Sequence, residues 1–477
     1  MLTISKETFI QQYSEAILAE NAAVFAGAGL SMQSGYVNWK ELLRNLAKQI
    51  GLDVDKETDL ISVAQYYTNE ALGRTELNNE IKKYFSNNQV FDNKTMDSLA
   101  KLPIKSYWTT NYDTVIEDTL FKFNKIKPNV KITQENLTNN VQDNDIVVYK
   151  LHGDVQFPET AILTRDDYET YDNTHKLFIT SLQSALINNT FVFIGYSFSD
   201  PNLMQILSKI RILLSKNKRT HYFIVEKNIK RAGQTEDEFK YEEIRQSLRI
   251  SDLTRYGIRP VLIDSYDELP AIFDEVHRRC KLNKVFIAGS CRKYVDWKKE
   301  EAHKFLYLLG YKLIEKNFKI STGMIEGVGP LVVNGVLTAI RDRGVSVDKY
   351  LKIRTLPLIN GSASFMNKEI KTSYQKDMIN EVGIVIFLFG NQFYDNELKP
   401  SKGVLHDFNR AIELNKYIIP VGATGFAAME IQNKLEQNEN KYPYLKKYWK
   451  KLKDKSNIEE LVNTVLEIIN DIVTEGF

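Results

Sequence analysis

Four short motifs in the first half of the chain carry residues that could bind a nucleotide or move a proton. Gly27-Ala28-Gly29-Leu30-Ser31 offers glycines and backbone amides that suit a phosphate at a helix start. Thr109-Thr110-Asn111-Tyr112-Asp113 contains a neutral carboxamide that could hold a ribose hydroxyl or a water. His152-Gly153-Asp154 contains an imidazole, which titrates near neutrality and can act as a general base. Gly195-Tyr196-Ser197 is small and hydroxylated, and suits contact with an adenosine.

Each motif taken alone also has a purely structural interpretation. A glycine-rich turn is common in α/β folds, Asn111 could cap a turn, and a lone histidine is more often a structural hydrogen-bonding group. The segment after Gly195 also fits a loop before a helix capped at Ser199 or Asp200, with Pro201 at its first position. The motifs gain weight because each follows a predicted strand, where open parallel sheets bind their ligands.

Hydrophobic strands alternate with amphipathic helices along the whole chain, which is typical of parallel, doubly wound sheets. The strands predicted in the first half span residues 22–26, 106–110, 146–151, 191–194, 222–225 and 259–263. Those predicted in the second half span residues 284–288, 318–321, 384–389 and 417–420. The sequence therefore predicts an α/β protein with two Rossmann-like parallel-sheet domains, residues 1–282 and 283–477.

Composition narrows the class of protein. The 477 residues include 63 lysines and arginines against 61 acidic residues, so there is no basic excess for a nucleic acid or a membrane surface. The two cysteines, Cys280 and Cys291, are too few for a disulfide framework or a four-cysteine zinc site. No apolar run approaches the roughly 20 residues of a membrane span, and the N-terminus predicts an amphipathic helix, not a signal peptide. We expect a cytoplasmic protein with no nucleic-acid or membrane partner.

A second set of motifs follows the predicted boundary. Gly323-Met324-Ile325-Glu326-Gly327-Val328-Gly329 leads into a predicted helix and again offers amides to an anion. Gly289-Ser290 and Gly390-Asn391 each end a predicted strand. These motifs predict a second ligand cleft, and the alternative is a structural or oligomerising domain.

The four N-terminal motifs together resemble the sirtuin family, over about residues 21–263. The resemblance implies an NAD pocket with His152 and Asn111 as catalytic residues. The other residues that it assigns to this pocket are Gly27, Ala28, Gly29, Ser31, Asp113, Gly195 and Ser197. Typical sirtuin deacylases carry a four-cysteine zinc module after the His-Gly pair, whereas residues 154–195 contain no cysteine. We therefore expect no zinc, and water in place of an acyl-lysine as the acceptor.

The resemblance implies hydrolysis of NAD+, as the substrate and not a cofactor, to nicotinamide and ADP-ribose. His152 would act as the base, and Asn111 would hold the ribose or the incoming water. The glycine loop and Ser31 would hold the pyrophosphate, and Asp113 would bind the nicotinamide side or fix Asn111. Two alternatives remain: a protein deacylase, and a sensor that binds NAD without catalysis. Nicotinamide release without an acylated peptide would distinguish NAD+ hydrolysis from deacylation, and any turnover would exclude the non-catalytic sensor.

The second half resembles the SLOG family of nucleotide-sensing domains, over about residues 285–421. Enzymatic relatives of that family carry a PGGxGT loop, and this chain has no Pro-Gly-Gly, which favours a sensor. The fusion resembles the effector family of the Thoeris anti-phage defence. That resemblance implies a tetramer, activated by a cyclic ADP-ribose isomer that a TIR-domain partner makes.

The pocket for this signal would be lined by Gly289, Ser290, Gly323, Glu326, Gly327, Leu356, Gln375, Gln392, Gly403 and Asp407. The family has basic residues where this chain has Gln375 and Gln392. Lys376 and Lys402 are the expected substitutes.

Overall fold

Short apolar segments of the first half form a sheet of seven parallel strands. In chain order they are β1 Ala22–Ala26, β2 Ser106–Thr109, β3 Asn129–Lys131, β4 Val147–Lys150, β5 Thr190–Ile194, β6 His221–Glu226 and β7 Ile258–Ile263. Their order across the sheet is β3-β4-β2-β1-β5-β6-β7. Every residue of β1 and β5 is buried, as expected for central strands covered by helices on both faces.

The computed structural model describes residues 3–86, 92–142, 145–198, 200–215, 217–353 and 378–475. These residues divide into two compact units, Met1–His277 and Arg278–Phe477. The division falls within the helix Leu269–Leu282, at whose end the sequence predicts the boundary.

Several helices of the first unit begin at residues that cap a helix start. Asn38 accepts the amide of Glu41, and Thr164 forms a capping box with Asp167. In chain order the helices are α1 Lys6–Leu18, α2 Ala28–Met32, α3 Trp39–Gln49, α4 Leu60–Glu70, α5 Thr75–Phe85, α6 Lys94–Ala100, α7 Val115–Asn124, α8 Arg165–Thr174, α9 Lys176–Asn188, α10 Pro201–Leu214, α11 Glu236–Thr254 and α12 Leu269–Leu282. Short 3-10 helices span Glu135–Thr138, Pro158–Thr160 and Tyr266–Glu268.

The second unit contains a parallel sheet of five strands and a separate antiparallel hairpin. The strands are β8 Lys284–Ser290, β9 Lys319–Thr322, β10 Leu351–Ile353, β11 Ile384–Phe389, β12 Asn391–Tyr394, β13 Glu397–Pro400 and β14 Tyr417–Pro420. The five-stranded order is β10-β9-β8-β11-β14, and β12 pairs with β13. The helices are α13 Lys299–Glu315, α14 Gly329–Arg343, α15 Val347–Tyr350, α16 Lys402–Glu413, α17 Phe426–Glu436 and α18 Ile458–Glu475. Short 3-10 helices span Gly422–Thr424, Glu439–Lys441, Pro443–Leu445 and Lys451–Lys453.

Each sheet has one point at which the strand order reverses direction. In the first unit this point lies between β1 and β5, and in the second it lies between β8 and β11. A crevice opens at such a point because the loops after the two strands turn to opposite faces of the sheet, and ligands of doubly wound folds bind there. The motifs that begin at Gly27, Gly195 and Gly390 follow β1, β5 and β11, and Gly289-Ser290 forms the end of β8.

The predicted fold class is confirmed: both units are α/β with parallel sheets. Strands 22–26, 384–389 and 417–420 are observed with the predicted ends. The strands β3 and β10 and the β12–β13 hairpin are not predicted from the sequence. Within the described ranges, every helix is too short or too polar to cross a bilayer.

Candidate active site

The loops that follow β1 and β5 pack directly against each other. The Gly27 amide donates to the carbonyl oxygen of Ile194, and the Gly29 amide to that of Gly195, both at 2.9 Å. A Cβ at Gly27 would overlap the Gly195 carbonyl, and a Cβ at Gly195, whose φ is +62°, would overlap the Leu30 amide. These glycines therefore allow two loops to touch. The Gly27 and Gly29 amides, which belong to the loop predicted to hold the pyrophosphate, thus have backbone partners.

Asn111 is held against the glycine loop. Its Nδ2 donates to the Gly27 carbonyl oxygen at 3.0 Å and to the Ser31 hydroxyl at 2.9 Å. Ser31 in turn hydrogen-bonds Asp113, and the Asp113 carboxylate also accepts the Val115 amide at 3.0 Å. Asn111, Ser31 and Asp113 thus form one buried chain of hydrogen bonds. Ser31, which the resemblance assigns to the pyrophosphate, faces Asn111 instead.

A buried cluster of charges lies beside this chain. The Lys150 ammonium pairs with the carboxylate of Asp154, lies 3.2 Å from Glu117 Oε1 and donates to the Asp113 carbonyl oxygen at 2.5 Å. Burial raises the pKa values of Asp113 and Glu117, and Lys150 opposes both shifts. Burial also disfavours the charge on Lys150, but the three carboxyl groups outweigh it and raise its pKa. One lysine thus balances three buried carboxyl groups.

His152 is oriented by a carboxylate. Its Nε2 lies 2.9 Å from Asp200 Oδ2, and its carbonyl oxygen accepts the Ile162 amide at 3.0 Å. The edges of Tyr168 and Tyr171 enclose the imidazole, with ring centroids 5.6 and 6.1 Å away. His152 Nδ1 is buried and has no hydrogen-bond partner within the described chain. A buried polar atom without a partner is costly, so this nitrogen suits a ligand or a bound water.

The carboxylate beside His152 has a second function. Asp200 is the cap of α10, and its Oδ1 accepts the amides of Asn202 at 2.8 Å and Leu203 at 3.1 Å. Burial alone would raise the pKa of Asp200, but the His152 ring and these two amides outweigh burial and lower it. The prediction of Asp200 as a cap with Pro201 at the first position is confirmed. Ser199, the other predicted cap, lies outside the described residues.

Two cavities meet over the loops that follow β1 and β5. The smaller, of about 430 Å³, has His152 and Asp200 in its wall. The larger, of about 800 Å³, extends toward β6 and β7 and includes Arg231, Arg245 and Arg249. Their walls share Gly29, Met32, Gly195, Tyr196 and Ser197. Small-molecule sites typically occupy about 300–1,000 Å³, so each half is large enough for part of a dinucleotide.

The structure brings the predicted residues of the first site together in two layers. Ala28, Gly29, His152, Gly195 and Ser197 line the smaller cavity. Gly27, Ser31, Asn111 and Asp113 form the hydrogen-bonded layer next to it. The sequence does not predict the pairing of His152 with Asp200, or the buried cluster around Lys150. A lysine inside the apolar segment IVVYKL is the signal that points to the cluster.

In the second unit, the loop after β8 is tied to two others. The Gly390 amide donates to the Ser290 carbonyl oxygen at 2.8 Å, and the Cys291 amide to the Glu326 carbonyl oxygen at 2.9 Å. Gly327 has φ +79°, and a Cβ there would overlap Cys291. The predicted residues therefore lie together, Gly289 and Ser290 at the end of β8 and Glu326 and Gly327 in the loop before α14.

Asn391 fastens the loop that follows Ser290. Its Oδ1 accepts the Arg292 amide at 2.8 Å, and its Nδ2 donates to the Lys293 carbonyl oxygen at 2.9 Å. The Arg292 guanidinium also pairs with the exposed carboxylate of Glu326. The rim of this predicted site thus carries an exposed ion pair.

The remaining predicted residues of the second site lie around it or outside the described residues. Tyr394 contacts both Gln392, through a hydroxyl hydrogen bond of 3.4 Å, and Lys402, whose ammonium lies 5.1 Å from the ring centroid. Gly403 and Asp407 lie on α16, and the Gly323 carbonyl packs against Gly329. The predictions for Leu356, Gln375 and Lys376 concern residues that the structure does not describe.

Metal ligands are not grouped in the parts of the chain that the structure describes: no three histidine, cysteine or acidic side chains there are arranged to hold an ion. Cys280 and Cys291 are both buried.

Comparison with known proteins supports both units. The family model described as a SIR2-like domain matches residues 105–247, and the Sir2- and TIR-associating SLOG family matches residues 268–472. Three curated relatives are each called NAD(+) hydrolase ThsA. That of Bacillus cereus (strain MSX-D12) is 41% identical, with 97% of this chain and 98% of the relative covered. That of Acinetobacter baumannii (strain 532279) is 37% identical, with 99% of each covered, and that of Cytobacillus dafuensis is 36% identical, with 98% and 97% covered. A sirtuin-like unit followed by a SLOG unit is thus confirmed, and the chain belongs to the ThsA family of NAD(+) hydrolases.

Proposed function

We propose that this chain hydrolyses NAD+ to nicotinamide and ADP-ribose in the cytoplasm, at the cavity formed by the loops after β1 and β5. The observation that carries the proposal is the buried, unpartnered Nδ1 of His152 in the wall of a cavity at the point where the strand order reverses. The names of the curated relatives support the same reaction.

NAD+ would lie across both cavities. The nicotinamide and its ribose would occupy the half lined by His152, and the adenosine would occupy the half that extends toward Arg249. The adenosine half is larger and carries three arginines on its wall, which suits the negative charge of a pyrophosphate that enters it. The shared glycines would lie beneath the middle of the dinucleotide.

Hydrolysis breaks the bond between C1′ of the ribose and the nicotinamide nitrogen. The leaving nicotinamide takes the bonding electrons, and the positive charge develops on the ribose in an oxocarbenium-like transition state. His152 accepts a proton from the attacking water, whose oxygen forms the new bond to C1′. Asn111 ties the glycine loop to the end of β2 through its Nδ2, and its carboxamide oxygen would accept from the ribose or the water. No resident metal or cofactor takes part, and we expect EDTA to leave turnover unchanged.

Nicotinamide release by the purified full chain tests the proposal. We expect release that needs no acylated peptide, and a loss of at least about 100-fold in His152→Ala, because the variant lacks the base. The matched control is His277→Ala, a histidine on α12 away from the cavity. Full turnover by His152→Ala would overturn the mechanism. Strict dependence on an acylated peptide would favour a deacylase, and binding of NAD+ without turnover a sensor.

We further propose that a cyclic ADP-ribose isomer, made by a TIR-domain partner, binds the second unit and raises turnover, so that NAD+ is depleted in anti-phage defence. The Sir2- and TIR-associating description of the SLOG model supports this partner. The end of β8 and the loop before α14, which would receive the signal, bring together Gly289, Ser290, Glu326 and Gly327. Gln392 and Lys402, which share contacts with Tyr394, would lie at its edge.

Turnover measured against the concentration of each isomer tests the second site. Ser290→Ala removes a hydroxyl from the proposed pocket, so we expect it to raise the concentration for half-activation while leaving maximal turnover unchanged. An isomer that binds equally well to Ser290→Ala and Glu326→Gln would contradict the proposed pocket. We also propose that the active form is a tetramer, which light scattering during size exclusion measures directly.

A further inference from the structure

The two carboxylate oxygens of Asp200 have different hydrogen-bond partners. Oδ1 accepts the first amides of α10, from Asn202 and Leu203, and Oδ2 faces His152 Nε2 at 2.9 Å. The side chain is 9% exposed, and that of His152 is 4% exposed, so bulk water is largely kept from the pair. A charge-assisted hydrogen bond in such surroundings is strong and directional.

This contact fixes which nitrogen of His152 carries the hydrogen. A carboxylate can only accept, so Nε2 must be the donor. In the neutral ring Nδ1 is then the nitrogen with the lone pair, and it is the same atom that lacks a partner among the described residues. The helix cap holds Asp200 in place, the Ile162 amide fixes the backbone of His152 at its carbonyl oxygen, and Tyr168 and Tyr171 pack against the ring in T-shaped contacts.

We propose that Asp200 is a positioning residue, which holds His152 in the Nε2–H tautomer and leaves Nδ1 as the atom that accepts the proton from water. The inference rests on the proposed NAD+ hydrolysis. Asp200 also stabilises the imidazolium that forms when Nδ1 takes the proton, because its negative charge stays next to the ring. The proton passes from water to Nδ1, and Asp200 remains ionised throughout.

Asp200→Asn separates this role from the helix cap. The Asn side chain keeps an oxygen for the amides of Asn202 and Leu203, and asparagine caps helices as well as aspartate does. Its amide group, however, would donate to Nε2 and move the ring hydrogen to Nδ1, which can then no longer accept a proton. We expect kcat to fall by about 100-fold or more, with KM for NAD+ within a few-fold and an unchanged melting temperature.

Asp200→Ser and Asp200→Ala complete the series. Serine still caps a helix and alanine does not, so we expect melting temperatures in the order Asn, Ser, Ala, with all three variants losing similar activity. A role confined to the helix would give the opposite pattern, in which activity follows the melting temperature and Asn and Ser stay active. That pattern, or wild-type kcat in Asp200→Asn, would overturn the inference while leaving the proposed hydrolysis intact.

The tautomer is measured without any turnover. The full chain labelled with 15N-histidine gives long-range proton–nitrogen spectra of its six histidines, and His152 is assigned by its absence from His152→Ala. We expect the Nε2–H pattern in the wild-type protein and the Nδ1–H pattern in Asp200→Asn. An Nδ1–H pattern in the wild type would overturn the inference even if NAD+ hydrolysis is observed. An inactive wild type with the Nε2–H pattern would count against the hydrolysis alone.

Discussion

The points of strand-order reversal in the two sheets have the same backbone design. In the first unit Gly27 directly follows β1, and a Cβ there would overlap the Gly195 carbonyl after β5. In the second unit β8 contains Gly289, where a Cβ would overlap the Leu388 carbonyl in β11. In both, a glycine on or directly after one central strand lets the backbone of a neighbouring strand or loop come close, and a crevice begins there.

The two points differ in the side chains behind them. The first is backed by buried charged groups around Lys150, together with the His152–Asp200 pair. In the described residues of the second unit, the buried polar side chains are uncharged: Ser321, Thr322, Asn391, Ser401, Thr424, Gln432 and Thr464. The same fold therefore provides a place for a ligand twice, and among the described residues only the first place is backed by buried carboxyl, lysine and histidine side chains.

The largest expected effect comes from removing the only cation of the buried cluster. Lys150→Met leaves Asp154, Glu117 and Asp113 without their counter-charge, so we expect the free energy of unfolding to fall by about 3–5 kcal/mol. Lys131→Met is the matched control, because buried Lys131 donates only to the carbonyl oxygens of Asn136 and Asn139. Urea unfolding measures both. Equal losses would show that the carboxyl groups do not depend on Lys150.

A smaller loss of stability is expected in the second unit, where the uncharged Asn391 side chain binds backbone groups. Asn391→Ala leaves the amides of Arg292 and Lys293 and the Lys293 carbonyl without their partner, at a cost of about 1–3 kcal/mol. Because the lost group is uncharged, we expect the cost to be the same at pH 6 and pH 8. The neighbouring Gln392→Ala, whose side chain is exposed, should change stability by less than about 0.5 kcal/mol. A cost that varies with pH would contradict the contrast between the two units.

The smallest expected effect is a change in stability with pH that depends on Glu117. Burial raises the folded pKa of Glu117 above its ordinary value of 4.5, so its contribution to stability is present below that value and is lost as the pH rises through the folded pKa. Glu117→Gln cannot ionise, and its stability relative to the wild type should therefore increase from pH 5 to pH 8, by about 1 kcal/mol. Urea unfolding at both pH values measures this, and a difference that decreases with pH would refute it.

The sequence was sufficient for the fold class and for the motifs that the structure brings together at the candidate site, because these depend on local patterns. Buried strands such as AAVFA and IVIFLF are hydrophobic throughout, and each motif directly follows one of these segments. The strands β3 and β10 escaped prediction because each has three residues and includes a charged one. The β12–β13 hairpin is likewise short and largely exposed.

Pairings between distant residues could not be predicted. His152 follows β4 and Asp200 follows β5, and these strands are separated in the sheet by β2 and β1. Nothing in the local sequence around either residue specifies the other. Asp200 is recognisable as a cap because capping depends on its own segment, whereas its contact with His152 depends on the order of strands in the folded sheet.

The contact between the Gly27 and Gly195 loops has a consequence for any long ligand. The two loops share two backbone hydrogen bonds and touch without intervening side chains, so neither can shift without carrying the other. Together they form a rigid backbone contact that divides the cleft at one place. For a dinucleotide bound as proposed, this contact fixes the distance between the bond that is broken and the adenine end. Nicotinamide mononucleotide, which lacks the adenosine half of NAD+, would reach only one side of this backbone contact and would be a poor substrate.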